Sequence, residues 1–261
     1  RLRHLAGTIR GIFDREAIKK YEPRFFSTKS SEYAYSKLRR MLTAAARVSV
    51  RQLQISGYEP KLFEVRLNEP IGGETEAADT VLQGRIDRID LRRDGNVAEA
   101  AVVDYKSGRT VTAGYSEVAA GLALQLLIYL SAACDLLEQN LDQEEREKIH
   151  EIEPAGAFYS YADPGRLSDG EEYKSLRDVR LKGFGETGAS APLKDQVLEL
   201  GYDKQLDKDQ IRTLLSFVRG KAAELTLQMR NGETSIAPSQ QSDVPEACRF
   251  CSYRSICSFH N

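Results

Sequence analysis

Two acids and a lysine in two neighbouring strand patterns are the residues of this chain best suited to chemistry. Asp87 lies within Gly-Arg-Ile-Asp-Arg-Ile-Asp, and Asp104 and Lys106 lie within Val-Val-Asp-Tyr-Lys-Ser-Gly. Side chains alternate across a strand, so Asp104 and Lys106 share one face and Tyr105 points to the other. Two carboxylates can hold a hard divalent cation, and a lysine can orient or polarise water. The pattern predicts metal-dependent hydrolysis of phosphodiester bonds.

These residues belong to a series of helix and strand patterns. Residue patterns predict helices over 5–20, 31–56, 115–138, 142–150 and 207–231, and strands over 62–68, 81–92, 98–106 and 155–162. Gly57 is expected to end the second helix, and Asp207 with Gln210 forms a capping-box pattern at the start of the last. Asp94-Gly95-Asn96 has turn chemistry, so the second and third strands should form an antiparallel hairpin. Residues 163–205 are rich in Gly, Asp and Ser and predict long loops. This order predicts an α/β or α+β core with one mixed sheet.

The composition limits the class of protein. The chain has 261 residues and 41% apolar content, enough for one good-sized core or two joined lobes. A net charge of −2 argues against a generally basic nucleic-acid coat, so any DNA contact needs a local patch. No apolar run is long enough for a bilayer and no signal peptide is seen, so we expect a cytoplasmic protein without membrane partners. The first residues lack a methionine and suggest a fragment of a longer chain.

Other polar residues near the acids have two readings. Gln125 and Tyr129 are four residues apart, so they share a helix face and could project toward Lys106 or toward DNA. Taken alone, an amide and a tyrosine on an amphipathic helix are more often ordinary residues of the surface or of the edge of the core. Asp90 is three residues beyond Asp87, which predicts an outward ion-pair partner and not a ligand. Glu64 is interpreted as a surface charge.

The cysteines suggest a second metal site. Cys248, Cys251 and Cys257 form a C-x2-C-x5-C cluster in the tail. A zinc site could be completed by His260, whereas a 4Fe–4S cluster needs a fourth cysteine. Cys134 lies on the apolar face of its helix pattern, which predicts a buried free thiol. A brown protein would indicate iron–sulfur, and a colourless one zinc or an empty site.

Several motifs occur in the order found in one nuclease family. They are Leu2-Arg3-His4, Ser56-Gly57-Tyr58-Glu59-Pro60, the two acidic segments, residues 121–130 with Gln125 and Tyr129, Pro154-Ala155-Gly156-Ala157-Phe158-Tyr159, Leu181-Lys182-Gly183, and the cysteine cluster. The chain resembles the RecB-type nucleases of the PD-(D/E)XK superfamily. More narrowly, it resembles the C-terminal nuclease domain of the AddB subunits of AddAB helicase–nucleases.

The resemblance implies a restriction-endonuclease-like α/β core, a mixed sheet flanked by helices, with an irregular cysteine-bearing tail. Residues 1–261 would form a single nuclease domain. Within it, 1–57 would hold N-terminal helices, 58–162 the catalytic sheet and the Gln-x3-Tyr helix, 163–235 loops and a long helix, and 236–261 the tail.

The resemblance also implies roles for single residues. His4, Asp87, Asp104 and the backbone carbonyl of Tyr105 would bind Mg²⁺ or Mn²⁺. Lys106 would orient the attacking water or stabilise charge on the phosphate, and Gln125 and Tyr129 would support it or contact DNA. The three tail cysteines would bind a 4Fe–4S cluster whose fourth ligand lies upstream of Arg1, so the cluster could be incomplete or lost in this fragment.

The function implied is an Mg²⁺-dependent exonuclease that acts on single-stranded DNA delivered by a helicase partner of the AddA type, in double-strand-break repair and recombination. The chain has no Gly-x4-Gly-Lys-Ser/Thr loop, so ATP would not be bound by that route. Two alternatives stay open: a DNA-end-binding module with an inactive nuclease site, and a standalone CRISPR-associated exonuclease of the RecB type.

Overall fold

The structure, a computed structural model, describes residues 11, 27–71, 80–106, 114–161, 181–186, 204–238, 248, 251–257 and 259. The helices are α1 (Lys29–Ser56), α2 (Tyr115–Ala119), α3 (Gln125–Asn140), α4 (Gln143–Lys148) and α5 (Lys208–Arg230). The strands are β1 (Glu59–Pro70), β2 (Val81–Asp94), β3 (Val97–Lys106), β4 (Glu151–Tyr161), β5 (Leu181–Glu186) and β6 (Lys204–Leu206).

The strands form one mixed sheet whose spatial order is the order of the chain, β1 to β6. Strands β1, β2 and β3 are antiparallel neighbours, as are β4 and β5, whereas β3–β4 and β5–β6 are parallel pairs. The parallel β3–β4 pair needs a crossover, and α2, α3 and α4 supply it. The predicted mixed sheet with flanking helices and the predicted hairpin are both confirmed.

The sheet has a different apolar cluster on each face. The larger cluster packs α3 and α5 against the sheet and includes Ala98, Ala100 and Val102 of β3. The smaller one contains Ala101 and Val103, the intervening residues, with Leu53 of α1 packed against it. By the same alternation, Asp104 and Lys106 lie on the α3 face and Tyr105 on the α1 face.

Local signals account for the ends of the long helices. Gly57 ends α1 with φ of 68°, and Asp207 begins α5 by accepting a hydrogen bond from the Gln210 amide, both as predicted. Within the part of the chain that the structure describes, no helix is long and apolar enough to cross a membrane.

Two predicted elements are wrong. The single helix over 115–138 is two helices, because Gly121 adopts φ of 77° and a Cβ there would lie 2.9 Å from Leu225 of α5. The predicted loops over 163–205 contain β5 and β6, where Leu181, Phe184 and Leu206 are buried. Two glycines in the six residues of β5 hide its alternation. The predicted helix over 5–20 lies outside the described residues, except for residue 11.

Candidate active site

Asp87, Asp104 and Lys106 come together where the β2–β3 ladder ends. The last pair of the ladder is Arg88 with Val103, so Asp87 and Asp104 are the next residues on the two strands. The Tyr105 backbone amide, beyond the ladder, donates to Asp87 Oδ2 at 2.8 Å. The Lys106 Nζ atom lies 2.6 Å from Asp104 Oδ2. Asp104 and Lys106 therefore lie together on the α3 face, as alternation predicts, and the Asp87 carboxylate lies next to them at the Tyr105 backbone amide.

The Asp104 carboxyl group is in an environment that disfavours its charge. Asp104 is only 4% exposed, and burial raises its pKa above the ordinary aspartate value. The Lys106 ammonium lowers this pKa and the nearby Asp87 carboxylate raises it, but burial is the largest effect. The site thus holds a carboxylate that additional positive charge would stabilise.

The predicted pair on α3 is confirmed as a contact. The Gln125 Nε2 atom donates to the Tyr129 hydroxyl at 3.0 Å, as expected for residues one helical turn apart. Tyr129 is 7% exposed and lies in the cluster beneath α3, whereas Gln125 is exposed. The hydroxyl of Tyr129 therefore accepts a hydrogen bond from Gln125 near the surface, and the ring of Tyr129 packs in the apolar cluster.

Tyr159 is a neighbour of the site to which the sequence motifs assign no role. It pairs with Asp104 in the parallel β3–β4 ladder, and Lys106 Nζ lies 5.3 Å from the centre of its ring. Burial raises the pKa of its hydroxyl, with further contributions from Asp104 and Tyr129. The aromatic residues of the β4 pattern are visible in the sequence. The register of β4 with β3, which brings Tyr159 beside Asp104, is not.

Comparison with known proteins places this chain in a family. The family model for the PD-(D/E)XK nuclease superfamily matches residues 4–258. This chain belongs to that superfamily. It is 30% identical over 269 residues to an ATP-dependent helicase/deoxyribonuclease subunit from Caldanaerobacter subterraneus subsp. tengcongensis, covering 91% of the chain and 22% of the relative.

Two further relatives carry the same name. The protein of Thermoanaerobacter pseudethanolicus is 30% identical over 281 residues, covering 94% of the chain and 22% of the relative. That of Clostridioides difficile is 29% identical over 290 residues, covering 95% of the chain and 24% of the relative. The chain thus spans about a quarter or less of these proteins, and the resemblance inferred from its motifs is confirmed.

Gly84 leaves space on β2 for the side chain of Tyr129. A Cβ atom at Gly84 would lie 3.1 Å from both Cε1 and the hydroxyl oxygen of Tyr129. Glycine inside a strand commonly marks such a close approach. Gly84 belongs to the motif that contains Asp87, so the motif includes a packing contact with α3 as well as an acid.

We expect Gly84→Ala to lower the free energy of unfolding by about 1–3 kcal/mol and to disturb the Gln125–Tyr129 bond, because the added methyl group overpacks the contact. Thermal unfolding measures the change. The control is Gly220→Ala in α5, where a Cβ would meet nothing within 4 Å. That variant should gain about 0.5–1 kcal/mol, since alanine favours a helix. Stabilisation by both changes would contradict the packing role of Gly84.

The carboxylates suit a hard cation. Asp104 Oδ2 is buried, and the Lys106 ammonium lies 2.6 Å from it. Two carboxylates and the nearby Tyr105 carbonyl are the oxygen donors that Mg²⁺ and Mn²⁺ prefer. Among the described residues, no group of three or more His, Cys, Asp and Glu side chains could hold a metal ion. His4, the other predicted ligand, lies outside them.

The predictions for two further acids, Asp90 and Glu64, are only partly confirmed. The prediction that Asp90 points outward is wrong: it is 3% exposed and pairs with the buried Arg88. Its role as an ion-pair partner is confirmed. Glu64 is an exposed surface charge, as predicted, and its Oε2 atom lies 2.9 Å from Arg85 Nε.

The described cysteines are all free thiols. Cys251 is exposed, and Cys248 and Cys257 are half-buried on either side of a turn over 252–256. Within the described part of the tail, these three thiols do not converge on one point, and His260 falls outside that part. Cys134 is half-buried, and burial raises the pKa of its thiol to about 12.

Proposed function

We propose that this chain is a metal-dependent deoxyribonuclease domain with Asp87, Asp104 and Lys106 as its catalytic residues. The observation that carries the proposal is the convergence of these three side chains where the β2–β3 ladder ends, with Lys106 against Asp104 and Asp87 at the Tyr105 amide. Membership of the PD-(D/E)XK superfamily supports hydrolysis of phosphodiester bonds. The buried Asp104 carboxyl group, whose pKa is raised by burial, is unfavourable for folding alone and so supports a functional site over a vestigial one.

The residues divide the chemistry among themselves. Asp87, Asp104, the Tyr105 carbonyl and His4 would hold Mg²⁺ or Mn²⁺. The cation, when bound, supplies positive charge for the phosphate and makes an attacking water more acidic. Lys106 lies on the same face as Asp104, where its ammonium would orient that water or stabilise charge on the phosphate. Tyr129 and Gln125 would support the lysine side of the site or contact the DNA strand.

The relatives support a proposal for the substrate and the partner. Their name describes a subunit of an ATP-dependent helicase/deoxyribonuclease. We propose that the chain acts exonucleolytically on single-stranded DNA delivered by a helicase partner of the AddA type, in repair of double-strand breaks in the cytoplasm. The tail cysteines would bind a 4Fe–4S cluster, or zinc if His260 completes the site. No step of the hydrolysis depends on that group.

The test is cleavage of end-labelled single-stranded DNA by the purified protein. We expect Mg²⁺-dependent shortening of the DNA that EDTA abolishes and that Asp104→Ala lacks. Asp135→Ala is the matched control, because Asp135 is an exposed acid on α3 outside the site. Equal cleavage by Asp104→Ala and wild type, or its absence in both, would refute the proposal and favour a DNA-end-binding module.

A further inference from the structure

Tyr105 is held at both of its ends by two consecutive residues of β2. Its backbone amide donates to Asp87 Oδ2, and its hydroxyl accepts from Arg88 Nη1. The Arg88 guanidinium also lies 5.5 Å from the centre of the Tyr105 ring. Two consecutive residues of β2 therefore bind Tyr105, Asp87 at its backbone amide and Arg88 at its side-chain hydroxyl.

Arg88 is itself fixed by an ion pair inside the protein. It is 2% exposed, its Nε lies 2.8 Å from Asp90 Oδ1, and its Nη2 donates to Asp90 Oδ2 at 2.8 Å. Removing two charges from water costs several kcal/mol per ion, which their attraction only partly returns. A buried pair of this kind is weak evidence for stability and better evidence for a need to hold a fixed geometry.

The same tyrosine is connected to α1. The Tyr105 hydroxyl lies 3.3 Å from Ser49 Oγ, although the residue as a whole is 40% exposed. An exposed tyrosine is normally free to change rotamer, but this one is bound by a buried arginine and approached by a helix. The chain around Tyr105 is therefore held at the point where β3 loses its β2 neighbour.

We propose that Arg88, held by Asp90, is a positioning residue. It fixes the side chain of Tyr105, and this sets the geometry of Asp104 and Lys106, the residues before and after Tyr105 in the chain. The inference rests on the proposed function of those two residues. Asp104 and Lys106 directly flank Tyr105 in the chain, and its carbonyl is a proposed ligand. A displacement of Tyr105 would move all of these groups, and a misplacement of about 1 Å can cost roughly 10²-fold in rate.

The chain contains a matched control on the same face. Tyr58 donates to Glu99 Oε2 at 2.7 Å, Arg92 Nη2 lies 2.8 Å from the same oxygen, and the Arg92 guanidinium lies 5.7 Å from the Tyr58 ring. This second set has the same chemistry of tyrosine, arginine and acid. It lies further along β2 and β3, away from Asp104 and Lys106.

The experiment compares Tyr105→Phe with Tyr58→Phe. Both variants remove one phenol hydroxyl from a tyrosine–arginine–acid set, so both should lower the melting temperature. Only Tyr105→Phe should lower kcat, by roughly tenfold or more with little change in KM. The double variant Arg88→Met/Asp90→Leu, which removes the buried pair without stranding a charge, should retain the fold and show the same fall in kcat.

A second readout does not depend on activity. In the protein without metal, the Tyr105 amide should exchange with deuterium faster in Tyr105→Phe than in wild type, and at the wild-type rate in Tyr58→Phe. The positioning role would be overturned if Tyr105→Phe left either the exchange rate of this amide or kcat unchanged. It would also be overturned if kcat fell equally in Tyr58→Phe. A wild-type protein that cleaves no DNA would refute the proposed function instead, and the exchange rates would still decide the role of Arg88.

Discussion

Replacing Asp104 with asparagine is expected to abolish most DNA cleavage without lowering the stability of the metal-free protein. Loss of a carboxylate that holds the cation should remove about 4 kcal/mol of transition-state stabilisation, or roughly 10³-fold in rate. The fold should tolerate the change because burial already raises the Asp104 pKa, so its charge is unfavourable in the native state. Lys106 is 28% exposed in its side chain and stays hydrated when its partner becomes neutral.

The stability difference between Asp104→Asn and wild type is expected to depend on pH. A carboxyl group with a raised native pKa binds more protons folded than unfolded, so its effect on stability becomes less favourable as pH rises through that pKa. The difference in melting temperature between Asp104→Asn and wild type should therefore be largest near neutral pH and shrink in acid. Thermal unfolding with EDTA over a pH series measures it. A melting temperature clearly below wild type at neutral pH would contradict this account.

Replacing Lys106 with methionine is expected to lower kcat by roughly 10²–10³-fold, as for loss of one aligned donor in a preorganised site. It should also raise the Asp104 pKa further. The lysine ammonium is the group that lowers this pKa, and burial and the Asp87 charge would act without it. The titration of Asp104 followed by carbon NMR in the metal-free protein measures the shift directly.

The matched control for this variant is Lys148→Met. Lys148 is an exposed lysine on α4 that pairs with Glu144, so its loss should change neither kcat nor the Asp104 titration. An Asp104 pKa that falls or stays constant in Lys106→Met would show that the lysine does not act on this carboxyl group. A full rate in the same variant would remove Lys106 from the chemistry.

Short-range patterns explain why much of the site could be predicted from the sequence. The turn residues after Asp94 specify the β2–β3 hairpin, and strand alternation then puts Asp104 and Lys106 on one face and Tyr105 on the other. Helical spacing likewise predicts the contact of Gln125 with Tyr129. Each of these relations depends on residues close together in the chain.

The missed features depend on distant partners. Tyr159 lies beside Lys106 only because β4 returns parallel to β3 after three helices, and its register is set by long-range packing. Arg88 and Asp90 are buried as a pair, although charged residues are almost always exposed. Nothing in the local pattern marks that exception. The break at Gly121 was hidden in the same way by the apolar residues around it.

The identity of spatial and chain order in the sheet bears on how this family can diverge. Every strand pairs with its immediate neighbour in the chain, so a connection can lengthen without any strand changing its partner. The relative from Clostridioides difficile aligns over 290 positions, more than the 261 residues of this whole chain, and so carries inserted residues. Insertions in the connections of such a sheet would leave the pairing of β2 with β3, and so the positions of Asp87 and Asp104, in place.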